Sequence, residues 1–534
     1  MASSTKTHRQ RAPWPLIAAA FASAALFSGP LVYLVVRNLP GDASVNVAAA
    51  QIVTPLRNSL ILATAVAGAA TVLGTLAAWL VARTDLPAVS LWRVLLPLPL
   101  VIPSFIGAFV LLAAFAPGGL LEAVLRPLGL SGLGQTRGFA GSFIVLTLFT
   151  YPYVYLPAQA RFRQLPPSLE ESARLLGRRP VATFFTVVLP QARSAILAGT
   201  LLVFLYAVGD FGAVQLLRYN TLTRAIYTTR LFDRPVSLAL SLLLAVVALA
   251  VVAAERALAG RRAFEMPRGV RPLRHHLGRW RASAAAFLTL LVGLSLAVPV
   301  GVLVWWSARG IVRGSTGGAD LVSALSSVAR PALNTSLASI AAAVGAIVLV
   351  APIAYLTARY RSRVGDAANA VVVGGFALPG LALALALAVV TLGAPSPIGR
   401  LYQTLPLLVF AYVVHFGAHA LRTSQVAVAG VPRAVEDAAR VLGAAGVARF
   451  VRVDLPLMAP GLLAGAGLVL LSSMKELPAS LLLAPAGFQT LAMKIWGATE
   501  SAMFADAGLA SLVLILVSGV LTWALVIRRG EAFV

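Results

Sequence analysis

Cysteine is absent from this chain of 534 residues, and charged side chains make up only 11% of it. Without cysteine the chain has no disulfide framework, no thiol nucleophile and no cysteine ligand for a metal. Lysine occurs only as Lys6, Lys475 and Lys494, and none of these follows a glycine. The chain therefore has no Walker A loop, and we exclude a P-loop ATPase.

Apolar side chains dominate instead, at 59% of the residues, with a mean hydropathy of +0.88. A soluble protein cannot bury so much apolar surface, so the composition predicts an all-α polytopic membrane protein. The net charge of +25 does not indicate nucleic acid as a partner, because no basic helix or aromatic-basic motif accompanies it. Arginines on the cytoplasmic side of membrane spans explain the charge better.

Twelve apolar runs predict two sets of six spans. They lie near 14–36, 58–82, 94–115, 139–160, 194–214, 236–254, 282–306, 334–358, 368–392, 403–422, 458–479 and 506–527. The first run is too long for a signal-peptide core, so we expect an uncleaved span. Residues 255–281 carry eight arginines against two glutamates and predict a basic cytoplasmic linker. The predicted organisation is a first half at 1–254 and a second at 282–534, with both termini cytoplasmic.

One polar segment occurs twice, at 165–190 and again at 431–456. The two copies, here called the first and second repeated loops, align without a gap, 266 positions apart. Twelve of 26 aligned residues are identical, where about two are expected by chance. Each loop lies between the predicted fourth and fifth spans of its half. A weaker echo relates VIPS at 101–104 to ALPG at 377–380. The pattern indicates an internal duplication.

Each repeated loop predicts a short helix with defined ends. Ser168 and Glu171 have the spacing of a capping box at the first helix, and Gly177 and Gly443 are placed to end the two helices. Predicted apolar faces comprise Leu169, Ala173 and Leu176 in the first copy and Val435, Ala439 and Leu442 in the second. Glu170 with Arg174, and Glu436 with Arg440, have the spacing of i,i+4 ion pairs.

So short a helix is not stable alone in water, so we expect it to dock in a groove of a partner. The alternative is an interfacial amphipathic helix without a partner, which the duplicated spacing disfavours. A secondary transporter would be expected to repeat its substrate-binding spans more strongly than its loops. A membrane enzyme would need a cluster of catalytic groups at one depth, whereas the spans show only scattered candidates.

The repeated loops resemble the E-A-A-x3-G-x9-I-x-L-P motif of membrane subunits in binding-protein-dependent ABC importers. The matching residues are Glu171, Ser172, Ala173, Gly177, Val187, Leu189 and Pro190, and Asp437, Ala438, Ala439, Gly443, Val453, Leu455 and Pro456. The departures are mild, such as aspartate for glutamate and valine for isoleucine. The resemblance covers the whole chain as a fused pair and implies a type I importer permease fold.

The resemblance also implies how such a chain works. It would form the translocation pathway without being an enzyme, and Glu170 and Glu436 would belong, with the motif residues, to loops that dock on a separate ABC ATPase dimer. ATP and magnesium would bind that partner, leaving no cofactor in this chain. A periplasmic or lipid-anchored binding protein would deliver the substrate. The other expected partners are the lipids of a bacterial inner membrane, and not nucleic acid.

Two further segments, 210–235 and 474–496, resemble those of ferric-iron permeases, which implies ferric iron as substrate. Importers for thiamine, polyamines or aminoethylphosphonate are the alternatives. Asp210 and Glu476 are also 266 positions apart, at matching points of the fifth and eleventh spans. We predict that they line the pathway, since ferric iron is a hard cation that prefers oxygen ligands. The alternative is structural pairing with Lys475, Arg218 or helix-end backbone groups.

His415 and His419 lie at i and i+4 in the predicted tenth span. This spacing places both rings on one helix face and could hold a metal. No cysteine or carboxylate nearby in the sequence completes a set of ligands. Helix packing and hydrogen bonding are therefore the favoured role, with a metal site as the weaker alternative.

Overall fold

The computed structural model describes residues 12–38, 49–117, 119–125, 127, 136–259, 273–312, 321–360, 362–444 and 446–522. These residues are mostly helical and contain no strand, only an isolated bridge between Thr84 and His275. The α-helices before the linker are Trp14–Arg37, Ala49–Arg83, Val89–Leu95, Ser104–Ala114, Leu120–Leu125, Gly138–Thr150, Pro152–Gln164, Pro167–Leu175, Pro180–Thr183, Leu189–Gly209, Gly212–Leu216, Leu222–Thr229 and Arg234–Ala259.

The second half repeats this order of helices. Its α-helices are Arg281–Val292, Val298–Val312, Leu321–Tyr355, Arg363–Ala377, Gly380–Gly393, Leu405–Gly430, Arg433–Val441, Gly446–Arg449, Leu455–Met474, Pro478–Leu483, Leu491–Glu500 and Phe504–Thr522. Short 3-10 turns occur at Leu98–Val101, Gly278–Trp280 and Ile398–Leu401. Among the described residues, π-helical segments lie at Phe184–Val188, Gly293–Ala297, Leu356–Tyr360 and Phe450–Asp454. The all-α polytopic class is confirmed.

Ten helices among the described residues are long and apolar enough to cross a membrane, or up to twelve if two bent pairs each count as one span. The bent pairs join Val89–Val101 to Ser104–Ala114 at 92° and Arg363–Phe376 to Gly380–Gly393 at 103°. The predicted third and ninth spans are therefore broken, which apolar composition did not reveal. The breaks fall at Pro103 and Pro379, because proline lacks an amide donor and holds the preceding residue in extended conformation.

The described residues pack into two compact units that cross the sequence halves. Unit 1 takes its residues from Met1–Ala43, Ser326–Lys494 and Val513–Val534. Within it the first span, Trp14–Arg37, packs on Arg363–Ala377 and Gly380–Gly393. The ring of Phe27 fills the space beside Gly417, where a Cβ would overlap it. The first span thus belongs by packing to helices of the second half.

Unit 2 takes its residues from Ser44–Leu325 and Ile495–Leu512. Within it helix Val298–Val312, which ends the second half's first span, packs on Ser104–Ala114. The indole Nε1 of Trp306 donates to the carbonyl of Ala113 at 3.1 Å. The first span of each half therefore packs with helices of the other half, although the repeat itself follows the sequence order.

Each repeated loop lies between the fourth and fifth spans of its half, as predicted. We call Pro167–Leu175 the first loop helix and Arg433–Val441 the second loop helix. A π-helical segment follows in both copies, at Phe184–Val188 and at Phe450–Asp454, and runs directly into the next span. The duplication has kept the backbone of the loop, including this rare segment, which is typical of functional positions.

Candidate functional site

The ends of the loop helices show which local predictions hold. Gly177 and Gly443 have φ of +79° and +85°, the left-handed conformation that glycine adopts without strain. In the first copy, the amide of Gly177 donates to Arg174 O at 2.9 Å and that of Arg178 to Ala173 O at 3.1 Å. This pair of bonds is a Schellman motif, and the second copy repeats it. The predicted glycine C-caps are confirmed.

The predicted capping box is wrong. Pro166 occupies the N-cap position of the first loop helix, and no side chain caps the helix start. Pro167 is the first helical residue, where its missing amide proton costs nothing. Ser168 therefore lies inside the first turn, too far along to cap it, and Glu171 points to solvent.

A buried ion pair holds the first loop helix to the membrane domain. Glu170 is 2% exposed and pairs with Arg83, which is fully buried at the end of the second span. The Arg83 guanidinium also donates to Leu165 O at 3.4 Å, just before the loop helix begins. One arginine thus binds both the side chain and the backbone of the loop.

The second loop helix has the same anchor. Arg359, at the end of the eighth span, lies 2.7 Å from Glu436 Oε1 through its Nη2. The same nitrogen donates to Val431 O at 2.7 Å. Val431 and Glu436 are the repeat equivalents of Leu165 and Glu170, so the duplication preserved the anchor as well as the loop.

The anchors displace the predicted i,i+4 ion pairs, so that prediction is wrong in both loops. Arg174 contacts His275 rather than Glu170, and Arg440 lies 3.4 Å from Asp437 rather than pairing with Glu436. The physical reason is that an exposed pair on a helix surface contributes little. A buried carboxylate, by contrast, requires a close counter-charge, which the arginines at the span ends supply.

In the first loop the anchor is completed by a residue of the linker. His275 Nε2 lies 3.0 Å from Glu170 Oε2, and His275 Nδ1 lies 2.7 Å from Arg174 Nη2. Because arginine can only donate, Nδ1 must accept, so the ring is neutral and its Nε2–H donates to Glu170. Burial, assisted by the positive charges of Arg174 and Arg83, lowers the pKa of His275 to about 4. Arg83, Glu170, Arg174 and His275 form what we call the first joint.

In the second loop the anchor is completed by the loop itself. Arg449 lies 3.6 Å from Glu436 and 3.1 Å from Asp454, which is 1% exposed. The hydroxyl of Tyr355 donates to the same Asp454 oxygen at 3.2 Å. Arg359, Glu436, Arg449 and Asp454 form the second joint, with Tyr355 beside it.

Both loop helices expose an apolar pair at their C-terminal ends. Leu176 and Leu442 are 83% and 85% exposed, and the preceding residues, Leu175 and Val441, are equally open. The predicted apolar faces are therefore not buried as one stripe, because among their described side chains Ala173 and Ala439 are buried while Leu176, Val435 and Leu442 are exposed. The side chain of Leu169 lies outside the described residues. Glu171 and Asp437 are exposed beside these pairs.

The two membrane carboxylates bind backbone at helix starts. Asp210 accepts hydrogen bonds from the Ser104 hydroxyl and from the amides of Ala213 at 3.0 Å and Val214 at 3.3 Å. Glu476 accepts from the amide of Ala479 at 3.3 Å. Each acid thus lies at the end of its span and holds the start of the next short helix. These contacts agree with the alternative role, pairing with helix-end backbone groups, and the pathway role stays a prediction.

The residue beside each carboxylate differs between the halves, and it differs in step with the length of the acid. Gly380 occupies the position that the VIPS and ALPG echo assigns to Ser104. A Cβ on Gly380 would lie 2.5 Å from Glu476 Oε1. The longer glutamate of the second half therefore fits only because its neighbour has no side chain, whereas the shorter aspartate is met by a serine hydroxyl.

The histidine pair lies among aromatic rings. His419 is 4.8 Å from Phe376, ring centre to ring centre, and His415 is 4.4 Å from Phe416. These contacts support the packing role that we favoured. Nowhere in the described ranges do three or more histidine or acidic side chains form a group that could hold a metal.

Comparison with known proteins identifies the family. Residues 48–263 and 350–529 both match the inner membrane component of binding-protein-dependent transport systems. The chain belongs to this family. It is the inner-membrane permease of an ABC importer, with the two matched halves fused in one chain.

Several curated proteins resemble this permease. The "Fe(3+)-transport system permease protein FbpB 2" of Haemophilus influenzae is 29% identical over 473 residues, covering 87% of this chain and 88% of the relative. The "Molybdenum transport system permease protein ModB" of Mycobacterium tuberculosis is 34% identical over 214 residues, or 38% of this chain and 80% of the relative. The "Sulfate transport system permease protein CysT" of Salmonella typhimurium is 30% identical over 149 residues, covering 28% and 53%. All three are named as transport permeases.

Sequence reasoning missed four residues of the permease's joints: Arg83, Arg359, Arg449 and His275. Arg83 and Arg359 carry a usable signal, since each ends a long apolar run on the side of the basic linker. A lone arginine at that boundary is normally attributed to membrane topology. His275 has no repeat equivalent and stands among the linker arginines, so nothing in the sequence distinguishes it.

Proposed function

We propose that a separate ABC ATPase dimer drives the permease by docking on its two loop helices. This proposal is supported by a combination found in both loops. Each loop helix has an exposed apolar pair at its C-terminal end, and an ion pair holds the same helix to a membrane span. Leu176 and Leu442 present apolar surface to a partner, while an Arg–Glu anchor connects each loop helix to a span, buried in the first loop and partly exposed in the second. ATP and magnesium would bind the partner, and a binding protein would deliver substrate at the opposite face.

The mechanism is a shift between inward-facing and outward-facing states by differential binding. Nucleotide changes the shape of the ATPase dimer, and the dimer binds one state of the permease better than the other. Each loop runs through its π-helical segment into Leu189 and Pro190, or Leu455 and Pro456, at the start of the next span. A displaced loop helix would therefore tilt the fifth or eleventh span.

Charge reversal at the docking surface tests this coupling. The double variant Glu171→Lys and Asp437→Lys should lose uptake while insertion and expression remain intact, because both acids are exposed and neither supports the fold. Glu500→Lys, at an exposed helix end outside the loops, is the matched control and should transport normally. Normal uptake by the double variant would contradict docking through the loop helices.

We propose ferric iron as the substrate. One relative that covers 87% of this chain is named as an Fe(3+)-transport system permease protein, and the spans end at two carboxylates, which are ligands suited to a hard cation. On this proposal Asp210 and Glu476 border the path while also holding the short helices beside it. Thiamine, a polyamine or aminoethylphosphonate is the alternative cargo.

Uptake by cells tests the substrate and the path separately. The variant Asp210→Asn with Glu476→Gln should slow uptake of radioactive iron while the ATPase still co-purifies. Iron transport at the normal rate would exclude the pathway role. If the unmodified permease supports thiamine uptake but not iron uptake, the substrate assignment is wrong and the coupling proposal is unaffected.

We also propose that both termini lie in the cytoplasm of a bacterial cell. The arginine-rich linker and the arginines flanking the repeated loops support this orientation. Because the chain has no cysteine, one cysteine introduced at Leu176 reports the side of the membrane cleanly. A membrane-impermeant thiol reagent should label it in inside-out vesicles and not in intact spheroplasts.

A further inference from the structure

The two joints are built from different parts of the chain. In the second, Arg449 comes from the repeated loop, seven residues before Pro456, and bridges Glu436 to Asp454. The aligned positions in the first loop are Thr183 and Val188, which carry no charge. The first loop therefore lacks the groups with which the second completes its own anchor.

In the first joint, linker residues supply the contacts that Arg449 and Asp454 supply in the second. The amide of His275 donates to Arg83 O at 2.7 Å, and its carbonyl accepts from the amide of Asp85 at 3.2 Å. Its ring stacks on Trp79 at 6.0 Å. Trp79 in turn packs edge-on against Phe184 in the π-helical segment, 5.5 Å away. The linker backbone and the imidazole thus touch the span end, and the imidazole also contacts the loop helix.

The next linker residues strengthen the attachment to the span end. The amide of Leu277 donates to Asp85 Oδ1 at 3.0 Å, and His276 Nδ1 lies 3.2 Å from Asp85 Oδ2. The Leu277 amide and, less strongly, His276 lower the pKa of Asp85, so this carboxylate is ionised near neutral pH. The side chain of His276 itself is open to solvent. Only His275 among these residues reaches the loop helix.

We propose that the linker backbone at 275–277, through its bonds to Arg83 and Asp85, holds the first joint together, and that His275 is the positioning residue that replaces Arg449. It receives a hydrogen bond from Arg174 and gives one to Glu170, so it connects the exposed end of the loop helix to its buried anchor. The role in transport rests on the proposed coupling through the loop helices. The contact itself does not, and it predicts that the two loops depend differently on the linker.

A spin label on the loop helix tests the contact without the ATPase. The full chain, free of native cysteine, is labelled at Leu176→Cys or at Leu442→Cys in lipid vesicles. His275→Ala should raise the mobility of the label at 176 above its native value and leave the mobility of the label at 442 unchanged. His276→Ala is the matched control, a neighbouring histidine that contacts no loop helix, and should change neither label.

Two further variants separate the chemistry from the bulk of the ring. His275→Gln can donate to Glu170 and accept from Arg174, so it should restore the native mobility of the label at 176 and coupled uptake. His275→Arg adds a cation beside Arg83 and Arg174 and should not restore them. An unchanged label at 176 in His275→Ala overturns the proposal, as does equal loosening at 442.

Transport measurements with the ATPase then test the positioning role. His275→Ala should lower the uptake obtained per ATP hydrolysed, and His275→Gln should recover it. Full coupling in His275→Ala, with the label at 176 mobile, overturns the positioning role. Failure of the docking proposal appears elsewhere, as normal uptake in the Glu171→Lys and Asp437→Lys double variant, so the two failures are distinguishable.

Discussion

The first and second joints share one contact and differ in the rest. Both hold a loop glutamate with an arginine from the end of a long span. The second then adds a charged arginine and an aspartate from its own loop, whereas the first borrows a neutral histidine from the linker. Duplication therefore preserved the Arg–Glu pair that fixes each loop helix. The other residues that contact this pair differ between the two joints.

The comparison also shows what fusion of the halves permits. A linker histidine can serve the first loop only because the linker is covalently present beside it. The second loop, which is complete without a linker, has the arrangement that a half encoded alone would need. The asymmetry predicts that the same substitution in the two loops has different effects.

The largest difference is expected from removing the anchor arginines. Arg83→Ala leaves Glu170 buried with only a neutral partner, and breaking such a pair costs about 3–5 kcal/mol. Arg359→Ala leaves Glu436 beside Arg449, so its cost should be smaller. The apparent melting temperature in detergent and protease cleavage of the loops measure both. Equal destabilisation by the two variants would contradict the conclusion that Glu436 keeps a second cationic partner and Glu170 does not.

A second comparison concerns the carboxylates at the broken spans. Gly380→Ala should displace Glu476, because the new Cβ would lie 2.5 Å from its Oε1, and overpacking of this kind costs about 1–3 kcal/mol. Adding Glu476→Asp shortens the acid to the length found in the first half and should restore stability and uptake. Gly393→Ala, in the same helix with nothing near its Cβ, is the control.

The next prediction converts the first joint toward the second. In the His275→Ala background, Thr183→Arg with Val188→Asp introduces the charges that Arg449 and Asp454 supply in the other loop. We expect the mobility of the spin label at 176 to return to its native value. Val188→Asp alone buries an acid without its arginine and should increase the mobility of the label at 176 further. No recovery in the full set would mean that equivalent positions in the two loops are not interchangeable.

A smaller and symmetrical effect is expected at the helix ends. Gly177→Ala and Gly443→Ala force a side chain into left-handed backbone, at about 1 kcal/mol each. No atom lies within 4 Å of either new Cβ, so strain is the only cost. The two variants should lower the melting temperature equally, and the double variant should show the sum. A clear difference between the two melting temperatures would show that the joints also affect the stability of the glycine C-caps.

The last prediction is a response to acid in the first loop alone. Because the pKa of His275 falls from 6.5 to about 4 in the joint, the loosened state binds the proton more tightly. The contribution of the histidine is therefore constant above about pH 6.5 and is lost as the pH falls toward 4. Label mobility at 176 should rise over that range. His275→Gln removes this part of the response and leaves any part due to Glu170, Arg174 or Arg83.

These structural features were predictable to different degrees. The repeat predicted where the loop helices end, since Gly177 and Gly443 recur in register and need no distant partner. It misassigned Glu170, because local spacing suggests Arg174 while burial favours Arg83 from a remote span. The breaks at Pro103 and Pro379 were hidden by apolar residues that continue across them. His275 lies outside the repeat and acts through tertiary contacts, which leave no pattern in a single sequence.

The packing of Trp14–Arg37 on helices of the second half affects how the chain must be made. Phe27 meets its neighbour Gly417 only after about 390 further residues have left the ribosome. At roughly 5–20 residues per second that interval is roughly 20–80 s. Throughout it helix Trp14–Arg37 lies in the membrane with its eventual contact surface uncovered. Biogenesis of this permease therefore includes a period in which this helix is made but its packing partners are not.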